Sequence, residues 1–290
     1  MYKAVYVRTL FDGAVEIAVY GTCRNWNFAG DSAAQIESMN PGIIEAIAWV
    51  MQQHGIKRAL VPKPAFNAVI TTAEDLMDQR LPNFWRGVDA DGVVLERSGD
   101  AYLLASADCL ATCLYNPEAH YAMALHCGRD ALIDRKSLSG GVVRSFPSVI
   151  DNAAFIAGDR IEQLQAFLAA GIGPDSFTHP TTATVPGSNG IEVENKYLAA
   201  NQRLIEHLLE KWQNVLPSDR RKLVVTNEAQ GKIDLIALVT AQLFSMGVPL
   251  PQIQWDGHDT ATNRDGKRRF LFHSNRRDHD QRNLVVVKLN

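Results

Sequence analysis

The sequence predicts an α+β protein with a mixed or antiparallel β-sheet. Three observations lead there. Strand-like and helical segments both occur along the 290 residues but do not alternate strictly, which disfavours a doubly wound parallel sheet. Two strand-like runs, 101–115 and 120–127, are joined by one short turn, the mark of an antiparallel hairpin. Apolar content of 46% against 21% charge is that of an ordinary globular chain with enough length to bury a core. No repeat or low-complexity tract divides the chain, whose length suits one large domain or two small ones.

Taken in order, "MYKAVYVRTLFDGAVEIAVYG" predicts strands near 2–8 and 14–20 around a turn at Asp12-Gly13. "MNPGIIEAIAWVMQQHG" predicts a helix with Asn40 as cap, Pro41 at the first helical position and Gly55 as the stop. Short strands follow near 58–62 and 91–96, separated by an irregular stretch, 73–90, around "LPNFWRG". After the hairpin, "DRIEQLQAFLAAG" predicts a helix closed by Gly171. The segment 178–192, with "THPTTATVPGSNG", is polar, rich in Pro and Gly, and reads as a long loop. "VENKYLAANQRLIEHLLEKW" sets Leu198, Ile205, Leu208 and Leu209 on one helical face. A strand near 222–226 precedes "KIDLIALVTAQLFSMG", which is apolar all round and predicts a buried helix ending at Gly247. A last strand covers 284–289.

The formal net charge of −3 gives no general attraction to nucleic acid or to an anionic membrane. No apolar run approaches the ~20 residues that span a bilayer, and the N-terminal hairpin lacks the features of a signal peptide. The four cysteines, Cys23, Cys109, Cys113 and Cys127, form neither a disulfide framework nor a CxxC pair. These features predict a reduced, cytoplasmic protein. Nothing in them sets the number of subunits.

Chemistry concentrates in "ADCLATCLYNPEAHYAMALHCGRD", residues 107–130. Asn116-Pro117 marks the turn. A loop symmetric about Pro117 and Glu118, of four residues because proline cannot take φ > 0, pairs Cys109 with His126. Directly opposite residues have Cβ atoms about 4.5–5.5 Å apart, within reach for a thiol and an imidazole to touch or to share a metal. Alternation then puts Cys109, Ala111, Cys113 and Tyr115 on one face with His120, Ala122, Ala124 and His126. That face is small enough to leave room for a ligand or a closely packed helix. The bland alternative is a buried thiol beside a hydrogen-bonded core histidine. His120, Cys113 and Cys127 read as packing or surface residues.

At this hairpin the sequence resembles the laccase-domain family, also called YfiH-like or multicopper polyphenol oxidoreductase-like proteins. "ADC", Ala107 to Cys109, matches that family's strand of the same letters, and "HCGRD", His126 to Asp130, stands where the family has "HAGWRG". "DADGVVLERSGDAYLLASADC" is similar to its approach strand, "GIGPD" to its "GPAI" turn, and "FLFHSNRRDHDQRN" to its "FFSYRRD" ending. The resemblance implies a single domain over residues 1–290 with the YfiH-like fold, a layered mixed β-sheet with flanking helices, similar in its Cys-His arrangement to the catalytic domain of cytotoxic necrotizing factors. It implies a purine nucleoside phosphorylase with adenosine deaminase activity, a hydrolase or transferase of small molecules using phosphate. It also implies zinc, or copper, held by one Cys and two His, here Cys109 and His126.

The chain departs from this pattern where the family carries its first histidine. The matching stretch, "LVPKPAFNAV" at 60–69, holds no His, Cys, Asp or Glu, and the Trp of "HAGWRG" is missing. A catalytic zinc takes three protein ligands, so His179 or His258 would have to supply the third. With a metal, Cys109 and His126 would activate water or hold substrate while Arg129 offered its fork to phosphate. Arg129 equally suits a surface ion pair with Asp130 or Asp134, and Arg276 and Arg277 suit ties within the last turn. Without a metal, Cys109 would be a nucleophile deprotonated by His126, in an amidase or deamidase working through a thioester, with amides near Gly128 as oxyanion hole. Such a dyad wants a group to orient the imidazole, and Asp108 points to the wrong face. A third reading is a homologue without activity that serves as a binding protein.

Overall fold

Fifteen strands and five helices account for the regular structure of the described residues, which are 2–28, 41–78, 82–181, 195–218, 223–278 and 280–290 of a computed structural model. The first half holds β1 (Tyr6–Leu10), β2 (Val15–Tyr20), α1 (Pro41–Gln53), β3 (Arg58–Leu60), β4 (Ile70–Thr71), β5 (Met77–Asp78), β6 (Phe84–Arg86), β7 (Gly92–Leu95) and β8 (Asp100–Ser106). Then come β9 (Leu110–Asn116), β10 (Tyr121–Cys127), α2 (Arg129–Leu132), α3 (Val149–Ala157) and β11 (Gln165–Leu168). The chain closes with α4 (Asn195–Lys211), β12 (Val225–Asn227), β13 (Lys232–Ile233), α5 (Leu235–Ser245), β14 (Ile253–Trp255) and β15 (Asn283–Leu289).

Two mixed sheets lie face to face. One has seven strands in the order β1-β2-β15-β8-β3-β6-β5; the other has six, β14-β11-β9-β10-β7-β4. Between them Val15, Ile17, Leu104, Val285 and Val287 of the first sheet meet Val93, Ala111, Cys113, Ala122, Ala124 and Phe167 of the second. Helix α1 covers the outer face of the first sheet with Ile43, Ile47 and Val50. Helices α3, α4 and α5 cover the outer face of the second, through Ile150, Leu204, Leu208 and Leu238 against Leu114, Met123 and Leu125. Each Val, Leu, Ile, Met or Phe side chain among them contributes about 1.5–3 kcal/mol by leaving water. The α+β class with layered sheets is thus realised as helix, sheet, sheet, helices. No helix among the described residues is long and apolar enough to cross a membrane.

Several expectations need correction. The small hairpin face offers no open room, because the seven-stranded sheet covers it. "DRIEQLQAFLAAG" is not a helix: a 3-10 turn at Gly158–Gln163 leads into β11, which lies between β9 and β14. Its apolar run is buried on both faces of a central strand, a pattern that periodicity does not separate from a buried helix. Phe84–Arg86, within the stretch read as irregular, is a strand held beside β3. The helix over 149–157, capped by the Ser148 hydroxyl accepting from the Asp151 amide, went unread. Asn40 and most of the 178–192 loop lie outside the described residues.

Two corrections bear on the site. The run 101–115 is two strands in two different sheets, broken at Asp108, whose φ of 78° turns the chain from one layer to the other. The hairpin register is shifted by two: His126 pairs with Ala111 and Cys127 with Leu110, around a four-residue turn, Pro117 to His120. The Asn116 side chain sets this, accepting from the amides of Glu118 and Ala119 as an Asx turn. An even shift preserves which face each side chain occupies. Cys109 therefore stays on the face of His126, one residue beyond the end of the ladder.

Candidate functional site

The bend at Asp108 positions Cys109. Asp108 is buried; its carboxylate accepts from the Thr260 hydroxyl at 2.8 Å and the Asn275 amide at 2.9 Å, and its carbonyl accepts from the Ile172 amide. The Ser106 hydroxyl donates to the Cys109 carbonyl at 2.9 Å. These bonds fix a left-handed residue that is not glycine and present a half-buried thiol where the two sheets separate.

His126 is the penultimate residue of β10. Beyond the pair Leu125 and Gly92, its amide donates to the Asp91 carbonyl at 2.6 Å, so Asp91 lies next to it across the strands. The Asp91 carboxylate, fully buried, meets His126 Nδ1 at 3.3 Å. It also accepts from four successive amides, Ala65 and Phe66 on Oδ1, Asn67 and Ala68 on Oδ2, at 2.6–3.2 Å. Burial pushes the Asp91 carboxyl up, but the bonds to His126 and to these amides outweigh it and hold it below the usual range. Burial likewise opposes charge on His126; the neighbouring Cys109 sulfur and the Asp91 carboxylate overcome this and raise the imidazole to about 10.

Gly128 lets the thiol and the ring approach. A Cβ there would stand 3.0 Å from Cys109 Sγ and 3.1–3.2 Å from His126 Cε1 and Nε2. With Nδ1 turned to Asp91, the opposite edge of the imidazole faces the sulfur. The structure thus assembles a thiol, an imidazole and a buried carboxylate in line. Asp91, the orienting group, was missed in the sequence; it sits in the quoted "DADGVV", and only the β7–β10 pairing marks it out.

Arg129 forms a bidentate ion pair with Asp130, at 2.9 and 2.8 Å, rather than reaching the sulfur or the ring. Arg277 donates to the carbonyls of Ala261 and Phe272, and Arg276 to that of Thr178. Cys113 and Cys127 are buried and His120 sits on the exposed hairpin turn. The metal implied by the resemblance does not fit the donors. No group of three or more His, Cys, Asp or Glu among the described residues could hold an ion. His258 is engaged elsewhere, stacked on Tyr6 at 4.9 Å, and His179 does not join the pair. In the stretch 60–69, the side chain set against His126 is Phe66, ring to ring at 5.4 Å, a hydrocarbon with no donor atom.

Comparison with known proteins places this geometry. The family profile described as multi-copper polyphenol oxidoreductase laccase matches residues 31–287. The fold is that of the Bacillus licheniformis hypothetical protein YfiH, at TM-score 0.60 and 16% identity over 95% of this chain and 93% of that one. The Neisseria meningitidis protein NMB0706 is similar at 0.61 and 18%, over 100% and 99% of the two chains. YlmD from Geobacillus stearothermophilus is similar at 0.62 and 14%, over 96% and 92%. No curated protein matches the chain.

Proposed function

The chain belongs to the multi-copper polyphenol oxidoreductase laccase family, and from that premise we propose that it works without a metal, as a cysteine-nucleophile amidase or deamidase of small molecules. The observation that supports this reading is the line Cys109, His126, Asp91, in a site where Phe66 faces the imidazole and no third metal donor stands among the described residues.

The chemistry follows from roles fitted to those groups. His126, raised far enough to hold its proton near neutral pH, stands as an imidazolium beside the sulfur; the sulfur attacks the carbonyl carbon of an amide as a thiolate, and the carbonyl electron pair moves to oxygen. Amides at the Gly128 turn hydrogen-bond that oxyanion. As the carbon–nitrogen bond breaks, His126 returns the proton to the leaving nitrogen, and the acyl group remains on sulfur as a thioester. Water, deprotonated by the now neutral imidazole, then releases the acid and restores the thiolate–imidazolium pair. Asp91 holds the ring in one tautomer and stabilises its cation, while four amides keep Asp91 ionised.

A second reading, a zinc- or copper-dependent purine nucleoside phosphorylase or deaminase, is favoured by family membership alone. Metal analysis and alkylation separate the two. The amidase reading expects metal-free protein whose Cys109 reacts with iodoacetamide near neutral pH. The rate should fall on the order of 10²-fold in His126→Ala. Labelling is mapped in a Cys23→Ser background, because Cys23 is also exposed. Stoichiometric zinc or copper that disappears in Cys109→Ala, or a Cys109 inert to alkylation, would sink it.

A further inference from the structure

We propose that a second binding site lies at the β4 edge of the six-stranded sheet, a cavity that takes an apolar amine, a hydrocarbon or aromatic body carrying an ammonium group. It does not depend on the chemistry at Cys109: neither Cys109, His126 nor Asp91 lines it.

The cavity exists because the sheet ends there in a short strand. β4 has two residues and lies outermost, beyond β7 and β10. Ile70, Val94 and Tyr121, from the outer face of these strands, form its floor. Helix α3 and the loop before it form the wall, where Phe146 and Phe155 meet with ring centroids 5.5 Å apart. Asn152 ties that helix to the strand side by donating to the Ala68 carbonyl at 2.9 Å. Between floor and wall about 750 Å³ stays open. That lies within the roughly 300–1,000 Å³ of ordinary ligand sites.

The lining is out of place in water. Ten large apolar side chains are exposed among the described residues, and four of them, Val69, Val143, Phe155 and Ile156, border this cavity. Phe155 is 74% exposed and Val143 67%. Such side chains scattered singly need no explanation, but their gathering round one hollow marks a binding surface.

Charge decides the occupant. The lining holds one cation, Arg144, and one carboxylate, Glu96. The Arg144 guanidinium is committed to the carbonyls of Phe66, Asp130, Ala131 and Pro147. The exposed Glu96 carboxylate has no hydrogen bond or ion pair among the described residues. Arg58, whose charge it feels, is bonded twice to Asp100, at 2.8 and 2.7 Å. Arg160 acts on the Tyr121 phenol but stands outside the lining. The free charge of the cavity is therefore negative. Tyr121, Phe146 and Phe155 add ring faces, which attract a cation. An apolar acid would set its own carboxylate against Glu96.

The test is calorimetric titration of the full chain with decylammonium, and separately with decanoate, each below its micelle-forming concentration. Saturable binding of one decylammonium per chain is expected, with decanoate at least fivefold weaker. Glu96→Gln should weaken decylammonium about fivefold, the worth of one exposed ion pair. Phe155→Ser should weaken it about tenfold through loss of apolar and ring contact. Both side chains are exposed, so neither change threatens the fold. Cys109→Ala should bind as wild type does, which separates this site from the thiol chemistry. No saturable decylammonium binding, decanoate binding as tightly, equal binding in either cavity variant, or weakened binding in Cys109→Ala overturns the inference.

Discussion

Asp91 and His126 are next to each other across two strands and are bonded twice, once through backbone and once through side chains. The same carboxylate gathers four amides of the loop 65–68, so one buried charge both shapes a loop and aims a ring.

Asp91→Asn keeps the shape and removes the charge. The amide can accept from fewer of the four donors, and burial leaves the rest unpaired, costing roughly 1–3 kcal/mol. The expected result is a lower melting temperature together with slower Cys109 alkylation. Unchanged alkylation in a folded variant would remove Asp91 from the proposed mechanism.

Gly128→Ala isolates the close approach of thiol and ring. The backbone at Gly128, φ −77° and ψ 160°, suits alanine, so no strain arises there. The added methyl has to displace Cys109 Sγ or the His126 edge, a local overpacking of about 1–3 kcal/mol. Alkylation of Cys109 should slow while far-ultraviolet circular dichroism stays as in wild type.

Arg144 joins the two sides of the site. Its guanidinium donates to the carbonyls of Phe66, Asp130, Ala131 and Pro147. Arg144→Ala loses these and should cost roughly 2 kcal/mol or more. Hydrogen exchange of the Ala65–Ala68 amides should quicken in the variant; if it does not, the arginine does not brace that loop.

Stability should fall on both sides of neutrality, from two histidines. His126 is raised to about 10, so its contribution is complete below the unfolded value near 6.5 and is lost as pH rises toward 10. His179 is lowered to about 3, so the unfolded chain binds the extra proton and stability drains as pH falls below about 6.5 toward 3. Urea unfolding across pH should show both slopes. His179→Phe should flatten only the acid one, and Cys109→Ala should reduce the alkaline one.

Much of this was legible in the sequence for local reasons. Binary alternation sorted the hairpin into its two faces, and that sorting survived a register shift of two because side chains repeat every second residue. The helices over 41–53, 195–211 and 235–245 announce themselves by apolar spacing, a leading proline or a closing glycine. The strand β11 did not, because a run buried on both faces looks alike in either conformation.

By itself the sequence determined the α+β class, the turn at Asn116 and the sharing of one face by Cys109 and His126, since each follows from neighbours within a few positions. Only the tertiary structure decided that the chain changes sheets at Asp108, that the seven-stranded sheet seals the small face, and that Asp91 and Phe66 flank the imidazole. Those contacts join residues 35 to 167 positions apart. They are set by which strands pair and which layers stack, a choice made by the whole core rather than by any short stretch of it.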